Sequence, residues 1–431
     1  MCSVGDIAGS EEDAFDCMLD RIGNFLCCLH RETVSYSSSG DEVLSVGALL
    51  ESGCMHILIT GGAGFIGTHL TRQLLTLGHE VTVLDNFLKQ VHGDVRSLAP
   101  DNRRHVRLVL GDVADASALG SALEGVEGVV HLAAETGTGQ SMYEVARYGQ
   151  TNLQGTAQLY EVLAKAPSHR VQRIVVASSR AIYGEGAYRC ERDGLVYPVS
   201  RSVTDKRAGR FDPLCPVCGG ECRSVETPES APFQPSSFYG LTKQVQEQMV
   251  LMFGQTLGIT SVALRYQNVY GPGQSLQNPY TGILAIFSNL ARTGSAIHVF
   301  EDGMESRDFV YIDDVVRATV ASVLKELRGV HSVNVGSGER TSVAEVAEQI
   351  NMFYGGHSNV RTTGDFRDGD IRHGVADLRL GKELLDYEPR WRFVDGLRGF
   401  LSWANESSPN TGAYERSLEE MKSRGLFHGG N

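Results

Sequence analysis

"ILITGGAGFIGTHL", Ile57–Leu70, is the stretch on which the reading of this chain turns. An apolar, β-branched run passes through closely spaced glycines into residues with helical spacing. A strand that turns through glycines into a helix aims unpaired N–H groups and the positive end of a helix dipole at one point, which suits a pyrophosphate. The glycines fit two registers, Gly62-x-Gly64-x-x-Gly67 and Gly61-x-x-Gly64-x-x-Gly67. Candidate contacts to a dinucleotide are Gly61, Gly64, Phe65, Ile66 and Gly67. Asp85 ends the next apolar run, "EVTVLD", with Asn86 behind it. A carboxylate at that spacing bonds ribose hydroxyls and repels a 2′-phosphate, so NAD is expected over NADP.

Outward from this unit the same pattern repeats. "HILIT", "EVTVLD", "VRLVLGD", "GVVHLAA", "RIVVAS" and "TSVALRY" are short apolar runs separated by helix-length segments. Such runs predict parallel strands covered on both faces, a doubly wound α/β sheet of Rossmann type. The expected organisation is an extension over 1–54, a nucleotide domain over 55–270 and a smaller mixed α/β substrate domain over 271–405 with some return to the first. A helical tail follows over 406–431. Within the extension, Phe15, Leu19, Ile22 and Leu26 have helical spacing, and no function is assigned to it. Later strand ends add Asp112, Val113, Leu132, Ala133 and Ala134 as cofactor candidates. Asp112 also fits an ordinary turn residue. The glycine-rich loop 133–152 should line a substrate pocket, with Glu135, Thr136 and Gln140 facing the substrate and Asn152 the cofactor.

Composition narrows the class. The 431 residues are 42% hydrophobic and carry a net charge of −13, which argues against a nucleic-acid surface. No apolar run is long enough to span a bilayer, and the first residues lack a secretory pattern, so a cytoplasmic protein without a membrane partner is expected.

"FYGLTK" places Tyr239 and Lys243 on one helical face. A tyrosine titrates near ~10, and lowering it by about three units takes roughly 4 kcal/mol of differential stabilisation. A lysine ammonium and an oxidised nicotinamide nearby would supply it. Ser179, at the end of "RIVVASS", would bond the reacting oxygen, and Ser178 is the competing hydroxyl.

These motifs, with "SSRAIYG", "LRYQNVYGPGQ", "RDFVYIDDV" and "GDIRHGVADLRLGKELLDYEP", make residues 55 to about 405 resemble the extended short-chain dehydrogenase/reductases, in their sugar-nucleotide epimerase/dehydratase branch. The resemblance implies Ser179, Tyr239 and Lys243 as the catalytic set and a tightly held NAD. It implies Arg307 and Arg372 as phosphate contacts, Asn268 and Ser178 among the substrate contacts, and a homodimer. The 4,6-dehydratases that the chain resembles carry an acidic pair where Arg180 and Ala181 stand here, so dehydration lacks its proton donor. Redox-neutral epimerisation of a nucleotide sugar at carbon 4 remains. The pocket loop and "NPYTGILAIF" most resemble the branch that acts on dTDP-6-deoxyhexoses, interconverting dTDP-L-rhamnose and dTDP-6-deoxy-L-talose. Alternatives are another sugar nucleotide such as UDP-glucose, or a dehydrogenase or ketoreductase that consumes its nicotinamide.

About sixty positions separate Ser179 from Tyr239, and residues 185–232 hold a cysteine-rich insert. "CPVCG" resembles a zinc knuckle, so structural zinc is expected on Cys190, Cys215 and Cys218. Cys222 or Asp193 completes the four ligands, and inert thiols are the alternative.

Overall fold

The computed structural model describes residues 53–166, 168–276, 278, 282–409 and 412–430. The helical spacing between Phe15 and Leu26 lies outside the described residues. The core is a seven-stranded sheet built from β1 (His56–Thr60), β2 (Glu80–Asp85), β3 (Val106–Leu110), β4 (Gly128–His131), β5 (Arg173–Ser179), β9 (Thr260–Tyr266) and β10 (Val330–Val335). Its order is β10-β9-β5-β4-β1-β2-β3, every pair parallel. Adjacent residues of β1 serve opposite faces. Ile57 and Ile59 pack with α1 (Phe65–Thr76) and α6 (Ile312–Leu324), while Leu58 packs with α2 (Ala116–Ala122), α3 (Gly155–Lys165) and α4 (Phe238–Leu257). Apolar residues on both faces are what a doubly wound sheet requires.

The six apolar runs form six of the strands. The seventh, β10, comes from "VHSVNV", whose polar alternation conceals it. Its polar groups are satisfied. The Asn334 N–H donates to Glu229 at 2.8 Å and the Ser332 hydroxyl to Glu247 at 2.8 Å. The segment after residue 270 thus gives the sheet both β10 and the covering helix α6.

The smaller unit stacks α5 (Ile283–Arg292) and α7 (Val343–Phe353) over short strand pairs, Ile297–Val299 with Val360–Thr362 and Ser306–Arg307 with Thr341–Ser342. After α8 (Phe393–Ala404), the tail helix α9 (Gly412–Ser423) leads to Phe427–His428, which pairs antiparallel with Phe366–Arg367. The insert folds as β6 (Tyr188–Cys190), β7 (Gly194–Val196) and β8 (Cys222–Ser224), an antiparallel sheet of its own. Among the described residues, no helix is long and apolar enough to cross a membrane.

The chain leaves β1 for β2 on one side and returns to β4 on the other. Crossovers leaving in opposite directions open a crevice at the carboxyl ends of these strands, where ligands of such sheets bind.

Candidate active site

A cavity of about 550 Å³ opens there. Its lining includes Gly61, Gly64, Phe65, Ile66, Gly67, Asp85, Asn86, Val113, Leu132, Ala133 and Ala134. The glycine register is the one that begins at Gly61. Gly61 has φ +67°, and a Cβ there would lie 2.8 Å from the Ala133 nitrogen. A Cβ on Gly67 would lie 2.5 Å from the Gly62 Cα, so Gly67 lets α1 approach the turn. Gly62 instead packs on Val83. Asp85 is nearly buried and accepts the N–H groups of Ala63 at 3.0 Å and Phe87 at 2.8 Å. It sits at the ribose end of the glycine turn, as a dinucleotide site requires.

Two expected cofactor contacts are support groups instead. Asp112 is not in the cavity wall; it accepts from Asn86 at 2.8 Å and from the Ala114 N–H at 2.9 Å. Asn152 is fully buried, bridging the Glu135 backbone and the Thr242 hydroxyl. It fixes the pocket loop against α4 and does not face the cavity.

Ser179, Tyr239 and Lys243 all line the cavity. Ser237 caps α4 by accepting the Gly240 N–H at 3.1 Å. A Cβ on Gly240 would lie 2.5 Å from the Ala181 carbonyl, so the glycine lets α4 press against the turn after Ser179. That contact sets Tyr239 and Ser179 on the same stretch of cavity wall, where the Ser179 hydroxyl acts to lower the phenol's pKa. Burial pushes Tyr239 above its ordinary value, opposed by Ser179 and by the Arg180 guanidinium. Lys243 donates to the Ala177 carbonyl at 2.9 Å and to Gln246 Oε1 at 2.8 Å. Burial brings its pKa down to about 7. The Arg180 guanidinium is a further cation on the phenol's side of the cavity that the sequence reading did not include. Gln246 continues through Thr156 to His131, which burial keeps neutral with a pKa of about 3.

Several substrate candidates are redirected. Ser178 reaches the cavity wall, but its hydroxyl is committed to Glu247 at 2.5 Å. Gln140 bonds Gln90 and lies outside the wall. Glu135 lines the cavity with both carboxylate oxygens held by Arg147, at 2.8 and 2.6 Å. Thr136, Asn268 and Arg307 are in the wall. Arg372 is not. Its guanidinium is consumed by Asp302 at 2.6 and 2.8 Å, by Asp212 at 2.8 Å and by Glu301 at 3.3 Å. Arg367 takes its place in the cavity, paired with Asp370 at 2.8 Å. Arg180, Glu305 and Tyr414 were also not anticipated as cavity residues. Glu305 has a buried oxygen without a hydrogen-bond partner, and burial pushes its pKa up to about 7.

The insert brings Cys190, Asp193, Cys215 and Cys218 together, their ligand atoms all within 4.8 Å of one another. Cys190 and Cys218 sulfurs are 3.6 Å apart, and Asp193 Oδ2 lies 3.4 Å from Cys190 and 3.2 Å from Cys215. A tetrahedron with bonds of about 2.3 Å has edges of about 3.8 Å, so the donor set fits zinc. Cys222 is corrected out of the group, since its thiol points to the Pro213 carbonyl at 3.3 Å. Arg201 ties the insert to the cavity wall, bonding Glu185 at 2.9 Å, Glu301 at 2.7 Å and the Asp370 carbonyl at 2.9 Å.

Comparison with known proteins agrees with this geometry. The NAD dependent epimerase/dehydratase family matches residues 57–207 and 215–336. A dTDP-L-rhamnose 4-epimerase of Burkholderia thailandensis is 39% identical over 80% of this chain and 94% of its own. A UDP-glucuronate 4-epimerase of Thermodesulfobacterium geofontis is 27% identical over 82% of this chain and 97% of its own. Among solved structures, MoeE5 in complex with UDP-glucuronic acid and NAD aligns with a TM-score of 0.65 at 27% identity, covering 81% of this chain and 99% of its own.

Proposed function

Because the chain belongs to the NAD dependent epimerase/dehydratase family, we propose that this isomerase inverts carbon 4 of a dTDP-6-deoxyhexose, interconverting dTDP-L-rhamnose and dTDP-6-deoxy-L-talose. The observation that carries the sugar is the 39% identity to the dTDP-L-rhamnose 4-epimerase, against 26–29% for the relatives named for UDP sugars or for dehydration. Arg180 and Ala181 favour it as well, because neither side chain can donate the proton that elimination of water requires.

NAD, held by Gly61, Gly64, Gly67 and Asp85, supplies a reversible hydride acceptor when bound. The chain's residues do the rest. Tyr239 takes the proton of the carbon-4 hydroxyl onto its phenolic oxygen and later returns it, and Ser179 holds the reacting oxygen in line with that transfer. Arg307 and Arg367 bind the diphosphate, where a planar guanidinium fork suits phosphate oxygens. Thr136 and Asn268 lie beside the hexose and define the space in which the oxidised sugar turns.

Zinc on Cys190, Asp193, Cys215 and Cys218 is part of the same reading, as a staple for the insert. So is a homodimer formed through the outer face of α4, which leaves Leu241 and Met252 exposed. The test is isotopic. Substrate deuterated at carbon 4 should retain its label in the epimerised product, with no exchange into the medium or into added NAD. Loss of the label to exogenous cofactor would replace an epimerase with a dehydrogenase.

A further inference from the structure

The tail after α8 is fastened to both units around the cavity. On one side it meets the pocket loop. The Tyr143 hydroxyl donates to Glu420 at 3.1 Å, and the Arg424 guanidinium lies 4.2 Å from the centre of the Tyr143 ring. The buried Met421 packs so close to Gly139 that a Cβ there would lie 3.0 Å from its sulfur. On the other side the tail meets the smaller unit. Phe427–His428 pairs with Phe366–Arg367, and the Asp368 N–H donates to the Leu426 carbonyl at 3.0 Å. His428 bonds Asp368 at 3.1 Å, and the Phe427 ring stands edge-on to Phe300 with centres 5.4 Å apart. Thr138 of the pocket loop and Phe300 and Arg367 of the smaller unit all line the cavity. The tail therefore bridges two walls of the cavity, and its own Tyr414, on α9, is part of the lining.

We propose that the tail completes the substrate site, with Tyr414 a substrate-binding residue whose hydroxyl donates a hydrogen bond to the diphosphate of the bound nucleotide sugar. This rests on the reading of Arg307 and Arg367 as diphosphate ligands. The Tyr414 hydroxyl bonds no described residue and is not sealed from the cavity, unlike the Tyr188 hydroxyl, which is buried without a partner. Tyr414 belongs to the Arg367 end of the cavity because the tail is paired to the strand that carries Arg367, whereas Ser179 and Tyr239 reach the cavity from β5 and α4. A diphosphate offers more acceptor oxygens than Arg307 and Arg367 can satisfy, since Arg367 already commits its Nε to Asp370 at 2.8 Å. A neutral phenol adds a donor there without adding charge beside Arg367, and bonds to charged acceptors are the stronger kind. Burial raises the phenol above its ordinary value, with Asp365 and Asp370 acting in the same sense and Arg367 against, so it keeps its proton and remains a donor at neutral pH. The anchors at Glu420, Met421 and Phe427 hold it in place before substrate arrives.

The test is a ligand-observed NMR titration of the NAD-bound protein with dTDP and, separately, with thymidine, which lacks the diphosphate. Neither is turned over, so the outcome is separate from which sugar the protein epimerises. If the wild type takes UDP in place of dTDP, UDP and uridine serve as the pair. Tyr414→Phe should raise Kd for the diphosphate about tenfold and leave that for the nucleoside unchanged. A chain ended after Ser408 should lose at least as much affinity while still holding NAD. If that chain does not hold NAD, Phe427→Ala, which loosens the tail and leaves the phenol, is read in its place. A Tyr414→Phe variant that binds the diphosphate as the wild type does would overturn the proposal, and so would equal losses for diphosphate and nucleoside. A shortened or loosened tail with full affinity, or a wild type that binds neither diphosphate, would overturn it as well.

Discussion

Replacing Lys243 by Met should change how stability depends on pH, by an amount that follows from its burial. Lys243 is 2% exposed, and burial lowers its pKa from 10.5 to about 7. The folded state therefore binds its proton less tightly than the unfolded chain does. At pH 6 the lysine is charged in both states, and folding bears the whole shift of about 3.5 units, roughly 5 kcal/mol. At pH 9 the folded lysine is neutral and the unfolded one is charged. Only about 1.5 units remain, roughly 2 kcal/mol. Wild-type stability thus rises relative to Lys243→Met by about 3 kcal/mol between pH 6 and pH 9. The lost bonds to Ala177 and Gln246 weigh on the variant at both pH values and cancel in this difference. Urea unfolding of both proteins, freed of nucleotide, measures it directly. A difference of less than ~0.5 kcal/mol would refute the claim that a desolvated lysine sits beside the catalytic tyrosine.

Gly67→Ala should abolish NAD retention, because its methyl would need the space of the Gly62 backbone at 2.5 Å; an absorbance spectrum of the purified variant reads this. Metal analysis should find one zinc per wild-type chain, none in Cys218→Ser, and one still in Cys222→Ser. Arg367→Ala should raise KM for the nucleotide sugar at least about tenfold with little loss of stability. Arg372→Ala should instead destabilise the fold by about 2 kcal/mol, since it removes a buried guanidinium that holds Asp302 and Asp212 and leaves Glu301 to Arg201 alone; initial rates and unfolding curves separate the two arginines.

Where sequence and structure part company, the physics is local. Strands buried on both faces announce themselves by apolar, β-branched runs, and the edge strand β3 keeps such a run although it is largely exposed, so six of seven were legible and only the polar edge strand β10 was hidden. Adjacent residues of a strand point to opposite faces, and no local pattern says which. Ser178 and Ser179 were both candidates for that reason, and the fold sends one to Glu247 and the other to the cavity. In "FRDGDIRHG" the need for an arginine was readable, but its position was not. Pairing of Phe366–Arg367 with the tail fixes Arg367 beside the cavity, while Asp302 and Asp212 capture Arg372. The fourth ligand was decided by the turn between β6 and β7, which folds Asp193 back over Cys190. Arg180 was visible as a departure from the dehydratases, yet its place next to Tyr239 needed the tight approach of α4 at Gly240.

The central claim is tested most directly by incubating the purified protein, with no nicotinamide added, with dTDP-L-rhamnose and in parallel with UDP-glucose, and following the sugar by proton NMR. The expected result is conversion of dTDP-L-rhamnose to an equilibrium mixture with dTDP-6-deoxy-L-talose, while UDP-glucose stays unchanged. Unchanged dTDP-L-rhamnose beside epimerised UDP-glucose, or turnover that appears only on adding reduced cofactor, would contradict it.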